Sequence, residues 1–422
     1  MQMNLLKGYY QSYYAYIKNA SIYLTATIVS SLLAVVINPL LALNLSAEDY
    51  ATLGYYSGYA NLFTPLIGFF IIDYYLRNRY LLKGEDLLKL KSSLLKLLIL
   101  FSGGSSIICF CILWVYMNTY DASIPFWPFA LLKMAQIYTS FVYSFKLADY
   151  KIDGNAKGFF KISLIQAVIA TILSITFVVV LKWGAFGYMV GQLLVNTIFL
   201  GYCLWSYRDV IILRNDTSIL NSLIKYSTPL AMAGALGFFA NGYDKIYLER
   251  NKDLYALGIY AIAFQMSSYL NIFATAIKST FQPDIFKAIA EKNLRKVVKM
   301  ITLVVAFVSV VVMLFVLFCP ILINILTAGR YDESTDLTRI LSLSIITSTI
   351  YYQISQVTYG SGLSNITLIN KIIGSVLTVL LFSYVIPQYG AQGAAWGTVI
   401  SYLLFALGNV ILLCINKNKF LK

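Results

Sequence analysis

Twelve apolar runs, each about as long as a bilayer core is thick, follow one another along the chain with mostly short polar gaps between them. They lie at roughly 20–43, 50–75, 94–117, 124–147, 160–181, 184–206, 226–244, 255–277, 299–326, 335–359, 366–386 and 391–415. A helix of about 20 residues crosses about 30 Å of hydrocarbon, and lipid offers no partner to an unpaired backbone amide, so such runs are obliged to be helical. The expected fold is therefore all-α and polytopic, with about 12 transmembrane helices. Composition agrees: of 422 residues 59% are hydrophobic and 12% charged, too little polar surface to clothe a water-soluble domain of that size. The first run exceeds a signal-peptide core and has no small-residue cleavage site behind it, which predicts a retained span.

What the chain lacks narrows its chemistry. Histidine is absent, which removes the commonest general base, metal ligand and proton shuttle together. No G-x-x-x-x-G-K-[S/T] loop occurs, and no soluble stretch is long enough for a nucleotide domain, so ATP hydrolysis by this chain is not expected. Cys109, Cys111, Cys203, Cys319 and Cys414 fall inside apolar runs without paired metal-ligand spacing and read as packing residues. No metal and no catalytic residues are expected.

The net charge of +14 is spread over loops rather than gathered on one face, which favours attraction to anionic membrane lipids over nucleic acid. Of 32 lysines and arginines, 25 fall in alternate connections counted from the N-terminus. Six occupy the opposite set (Lys182, Lys245, Arg250, Lys252, Arg330, Arg339), and Lys133 lies inside a run. The positive-inside rule then places both termini in the cytoplasm.

Two motifs recur at nearly one offset. Asp49-x-x-x-Leu53-Gly54-x-Tyr56 returns 204 residues later as Asp253-x-x-x-Leu257-Gly258-x-Tyr260. Gly184-Ala185-x-Gly187-x-x-x-Gly191 returns 206 residues later as Gly390-Ala391-x-Gly393-x-x-x-Gly397. Each half then holds six helices, so the copies are parallel and related by an axis along the membrane normal. The expected domains are 1–215 and 216–422, two six-helix bundles around a central cavity. Taken singly, the glycines read as close-packing positions.

Four segments resemble the polysaccharide exporters, flippases of the Wzx type, within the superfamily that also holds the MATE antiporters. Asn44-Leu45-Ser46-Ala47-Glu48-Asp49-Tyr50 is similar to that family's loop after the first helix. Lys225-Tyr226-Ser227-Thr228-Pro229-Leu230, followed by Gly242-Tyr243-Asp244-Lys245, is similar to its seventh helix, with Lys245 where the family usually has arginine. Thr327-Ala328-Gly329-Arg330-Tyr331 resembles the turn after the ninth helix. Ile386-Pro387-Gln388-Tyr389-Gly390-Ala391-Gln392-Gly393-Ala394-Ala395 resembles the turn into the twelfth. The resemblance implies a MATE-like fold. It also implies the flipping of undecaprenyl-diphosphate-linked repeat units for O-antigen or capsule from the cytoplasmic to the periplasmic leaflet of a bacterial inner membrane. Membrane lipids, and polymerase and chain-length proteins of the same pathway, are the partners it implies. No cofactor is implied beyond a coupling proton or sodium ion.

Polar residues inside spans are the candidate site. Lys133 sits about 13 Å from the outer end of its helix, beyond easy snorkelling, and Gln136, Ser140 and Tyr143 continue its face at i+3, i+7 and i+10. This stripe is expected to line the cavity with Lys133 drawing the diphosphate; the alternative is an ion pair of Lys133 with Asp73 or Asp244. Arg77 and Arg79 meet an arriving diphosphate or serve only topology. Asp244 beside Asn241, with Asp73 as a further acid, suits an ion-coupling site; the alternative for Asp244 is an interfacial pair with Lys245. Ser344, Ser348, Tyr352, Ser355 and Tyr359 share one face of the tenth helix, implying a wet groove or interhelical hydrogen bonds. Many of the 34 tyrosines suit sugar faces, while Tyr9, Tyr10, Tyr13 and Tyr14 suit an interfacial belt.

Two other functions compete. A multidrug antiporter needs an apolar aromatic pocket and intramembrane acids, and the first helix has none. A membrane glycosyl polymerase or ligase needs a large extracytoplasmic loop, whereas the longest outer connection expected is about ten residues, 245–254.

Overall fold

Polar residues at the edges of the apolar runs set where helices begin. In the computed structural model, which describes residues 2–79, 82, 84–212, 219–291, 293–360 and 364–415, Ser46 and Asp49 each accept from the other's backbone amide (3.1 and 2.9 Å), a capping box. Asn155, Asp253 and Asn293 each accept from the amide three residues on (2.8, 2.9 and 3.1 Å), satisfying donors that a helix start leaves orphaned. The side chains of Tyr9, Tyr10, Tyr13, Tyr14 and Tyr359 lie outside those described.

The helices are α1 (Gln2–Asn44), α2 (Ala47–Gly68), α3 (Ile71–Asn78), α4 (Gly84–Tyr120), α5 (Phe129–Ile152), α6 (Ala156–Ser174), α7 (Gly184–Ser206) and α8 (Arg208–Ile211). They continue as α9 (Ile219–Ala235), α10 (Phe238–Asn241), α11 (Tyr243–Glu249), α12 (Leu254–Ser268), α13 (Leu270–Ala290), α14 (Leu294–Leu326), α15 (Thr335–Gly360) and α16 (Ser364–Ile415). A π-helical turn, Ile175–Val180, extends α6, and no strand occurs among the described residues.

Each of the twelve predicted runs falls on helix, the fourth beginning at Phe129 rather than at 124. The run at 50–75 is α2 and α3, parted at Phe69 and Phe70, whose φ of 45° and 49° are left-handed. The run at 226–244 is α9 to α11, and that at 255–277 is α12 with the first turns of α13. The last two runs are the limbs of α16, folded at Gly390 (φ 52°, ψ −131°), where a side chain would be strained. By length and composition seven of the described helices are apolar enough to cross a membrane, the limbs of α16 counted as one. The remaining runs, in α2, α5, α9 to α11 and α15, are interrupted or more polar.

Some boundaries differ from expectation. α4 is 37 residues long, about 55 Å, so its basic first turns continue beyond the span expected at 94–117. Lys278 and Lys371, expected in connections, lie inside α13 and α16. The connection expected at 245–254 shrinks to 250–253, because α11 continues to Glu249.

Large apolar side chains face outward, as lipid solvent allows, and polar side chains are buried among an otherwise apolar interior. α14 exposes Val310, Leu317, Ile321 and Ile325, each at 58% or more. α15, by contrast, buries Thr338, Ser342, Ser348, Thr349, Gln353 and Ser355. Its hydroxyls are satisfied mostly by their own helix, as Ser342 to Thr338 O (2.7 Å) and Thr349 to Ile345 O (2.7 Å) illustrate.

The chain forms two compact units that divide it differently from the halves 1–215 and 216–422. Unit 1 is Met1–Asn38, Ile67–Ile112 and Ala130–Leu230; unit 2 is Pro39–Leu66, Leu113–Phe129 and Ala231–Lys422. First-half segments enter unit 2 through a seam of small residues. A Cβ on Gly54 would lie 2.6 Å from Ala261 Cβ, one on Gly258 would lie 2.0 Å from Ala47 O, and one on Gly58 or Gly242 would lie 2.9 or 2.7 Å from the other's carbonyl oxygen. The repeated motif thus crosses its own copy: each of its glycines admits the helix that carries the other. The ends of this seam are pinned by Arg330, which donates to Ala42 O and Leu43 O (3.1 and 2.8 Å), and by Tyr331, which donates to Leu45 O (2.6 Å).

Candidate functional site

Unit 2 contains a polar cavity of about 240 Å³. The breaks that interrupt α9 to α13 place Asn241 at the end of α10, Ser267 and Ser268 at the end of α12, and Asn271 in the first turn of α13 around it. α15 contributes Ser344, Ser348 and Tyr352, and the second limb of α16 contributes Thr398 and Tyr402. Asn241 is fixed on both sides: its Oδ1 accepts from Tyr402, and its backbone carbonyl accepts from Asn61 Nδ2 (2.8 Å).

The stripe expected along α15 divides by height. Ser344, Ser348 and Tyr352 face the cavity, while Ser355 accepts from Asn409 Nδ2 (2.8 Å). A groove and an interhelical hydrogen bond therefore both occur. Asn241, grouped in the sequence reading with an ion site, belongs to this cavity.

Asp244 lies beyond the kink at Gly242, behind the cavity wall. It and Lys245 are each 1% exposed, with Lys245 Nζ 3.6 Å from Asp244 Oδ2. Tyr260 donates to the same carboxylate oxygen, and Lys245 Nζ stands 3.3 Å from the centroid of the Phe264 ring. The pair is thus a buried one, enclosed by α12, rather than interfacial. Phe264 and Thr398, the latter 3.3 Å from the Tyr260 hydroxyl, separate it from the cavity they line.

The candidates in unit 1 do not line the unit 2 cavity. Gln136 Nε2 donates to Met189 O of α7 (2.6 Å), and Ser140 donates to Ile137 O (2.8 Å). Tyr143 packs edge-on against Phe199 (5.3 Å) in a core with Val195 and Cys203. Gln136 and Tyr143 are thus engaged by α7, while Ser140 stays half-buried. Lys133 is half-buried and has no charged neighbour among the described residues; the pair with Asp73 does not form. Arg77 stacks on Tyr226 (5.1 Å), Arg79 pairs with Asp153 (3.2 Å), and Asp73 is exposed.

Sequence reasoning passed over two features. Asp149, 4% exposed, is the buried acid of unit 1: Tyr75 donates to it (2.7 Å), as does Tyr207, and Lys91 pairs with it. Read as part of a basic loop region, this cluster gave no signal of its own. Lys278, counted with the topogenic charges, stands 5.4 Å from the Tyr352 ring centroid without a charged neighbour among the described residues.

A family model described as polysaccharide biosynthesis protein matches residues 79–336. The capsular polysaccharide biosynthesis protein CapF of Staphylococcus aureus is 26% identical over 196 residues, 44% of this chain and 48% of that protein. The chain spans 62% and 48% of the length of the first two curated relatives it matches. Among solved structures, the lipid II flippase MurJ superposes with a TM-score of 0.67 at 17% identity, covering 94% of this chain and 89% of that one. A multidrug resistance MATE family transporter of the MOP superfamily superposes with a TM-score of 0.60 at 16% identity, covering 92% and 96%. These two likenesses concern the fold.

Proposed function

Since the chain belongs to the polysaccharide biosynthesis protein family, we propose that it is a flippase carrying lipid-linked oligosaccharide repeat units, undecaprenyl-diphosphate glycans for O-antigen or capsule, from the cytoplasmic to the periplasmic leaflet. The observation that carries this reading is the hydroxyl- and amide-lined cavity inside a unit whose outer surface is apolar. Hydrocarbon excludes a glycan because every unpaired hydroxyl costs free energy there. A cavity of neutral donors and acceptors replaces the lost water, while the lipid tail stays in the bilayer. Alternating access by two parallel repeats is the motion that fits this task.

Orientation follows the charge pattern. Of the six basic residues in the sparse set, five are engaged locally: Lys245 with Asp244, Arg250 with Tyr116, Lys252 with Asp121, Arg330 with α1 carbonyls and Arg339 with Asp336. Structural duties in this set support reading the basic connections of the opposite set, Lys278 and Lys371 aside, as cytoplasmic. Both termini then lie inside, in the bacterial inner membrane. Lys133 and Arg77, neither of them ion-paired to a carboxylate among the described residues, are the unit 1 groups proposed to draw the diphosphate. Coupling through Asp244 would require Lys245 to leave it, so we place no coupling cation there.

The test is leaflet-specific labelling of lipid-linked repeat units in cells with and without the protein. Units trapped in the cytoplasmic leaflet on its loss, with partial trapping in a Lys133→Ala strain at unchanged protein level, are expected. Units that reach the outer leaflet normally without the protein would refute the reading, and normal export by Lys133→Ala would remove that residue from it.

A further inference from the structure

We infer that the unit 2 cavity is a subsite for one uncharged sugar ring, from which the diphosphate and acidic sugars are excluded; this rests on the flippase reading above. Three properties of the lining lead there.

The first is charge. Among the described residues no acid or base lines the cavity. The nearest buried charges, Asp244 and Lys245, neutralise each other behind Phe264. A phosphate or carboxylate lodged among these residues would lose water with no cation in the lining to replace it, and the one cation near the rim, Lys278 beside the Tyr352 ring, would draw it outward.

The second is the direction of the hydrogen bonds. Ser267 donates to Phe264 O (2.9 Å), Ser268 to Gln265 O (2.6 Å), Ser344 to Leu341 O (2.5 Å) and Ser348 to Ile345 O (3.1 Å). Thr398 likewise donates to Ala394 O (3.0 Å). With their protons committed to the backbone, these five oxygens have lone pairs left to offer. A wall of acceptors suits a ligand rich in hydroxyl protons and repels one that can only accept. Asn241, whose Oδ1 is taken by Tyr402, turns its amide group into a donor for a ring or acetamido oxygen.

The third is shape. Tyr352 and Tyr402 stand with ring centroids 6.3 Å apart at 53°, and Phe264 adds a third aromatic surface, so apolar faces meet the C–H face of a pyranose while hydroxyl edges meet the serines. A volume of about 240 Å³ equals about eight waters, enough for one ring and not for a repeat unit. Lys278, beside the Tyr352 ring and outside the lining, is where positive charge is available.

The experiment is saturation-transfer NMR on the purified full chain with neutral methyl hexosides and N-acetylhexosaminides, methyl glucuronide and inorganic pyrophosphate. At least one neutral glycoside is expected to bind, with methyl glucuronide at least about tenfold weaker and pyrophosphate not competing. Ser348→Ala, which removes one acceptor without adding bulk, is expected to weaken binding about tenfold, and Ser348→Phe to abolish it at unchanged thermal stability. Binding of no neutral glycoside, displacement by pyrophosphate, or equal affinity for the glucuronide overturns the inference. Flipping with no glycoside binding would remove the subsite alone; glycoside binding without flipping would remove the flippase reading.

Discussion

Gly258→Val is expected to leave little folded protein, and Gly258→Ala to lower the thermal midpoint in detergent by an amount equivalent to about 3 kcal/mol, the upper end of ordinary overpacking. A Cβ at this position meets Ala47 O at 2.0 Å and Ala47 C at 2.6 Å. Both are backbone atoms of the first turn of α2, held in place by the Ser46–Asp49 capping box. No side-chain rotation relieves the contact, so the helices must part along a seam that also includes Gly54 and Ala261. Gly201→Ala is the control: a Cβ there meets nothing within 4 Å, and no loss of stability is expected. Equal midpoints for Gly258→Ala and Gly201→Ala would show that the seam does not hold unit 2 together.

Lys245→Met has an effect of similar size and a different origin. It leaves the Asp244 carboxylate, 1% exposed, with the Tyr260 hydroxyl as its one remaining partner among the described residues. Removing one member of a buried ion pair costs about 3–5 kcal/mol, because the other charge stays behind without compensation. The double variant Asp244→Asn with Lys245→Met removes both charges, and most of the loss is expected to return. The cycle is read from unfolding midpoints of the four proteins. A Lys245→Met single variant as stable as the parent would mean that the carboxylate is compensated from another source. Recovery of that variant by sodium and not by choline would identify the source as a cation, and would restore Asp244 as a coupling residue.

The helical architecture was legible because lipid solvent imposes one rule on every span: enough apolar residues in a row. Asp49 and Asp253, Gly54 and Gly258 were legible as a repeat, and their structural meaning, capping and close crossing, is local enough to be anticipated. The site was legible only in part. Ser348 and Tyr352 were found because a polar face on a helix is a periodic signal. That signal failed for Gln136 and Tyr143, since the same periodicity describes a face buried against a polar position of a neighbouring helix, here Met189 O. Asn241 and Asp244 are three residues apart and look like one site. The kink at Gly242 (φ −157°, ψ −27°) sends them to different partners, Tyr402 and Tyr260, which lie 161 and 16 residues along the sequence. The separate compact units were not legible at all, because the seam that draws residues 39–66 into unit 2 depends on reciprocal contacts between the repeats rather than on either copy alone.

Reconstitution measures the transport step itself. Vesicles holding the purified protein and a fluorescent undecaprenyl-diphosphate oligosaccharide are exposed to a membrane-impermeant reductant that bleaches the outer leaflet. The account predicts that bleaching runs to completion with the parent protein, and that with Ser348→Phe it stops where protein-free vesicles stop. A protected inner-leaflet pool that persists with the parent protein, in vesicles shown to contain it folded, would contradict it.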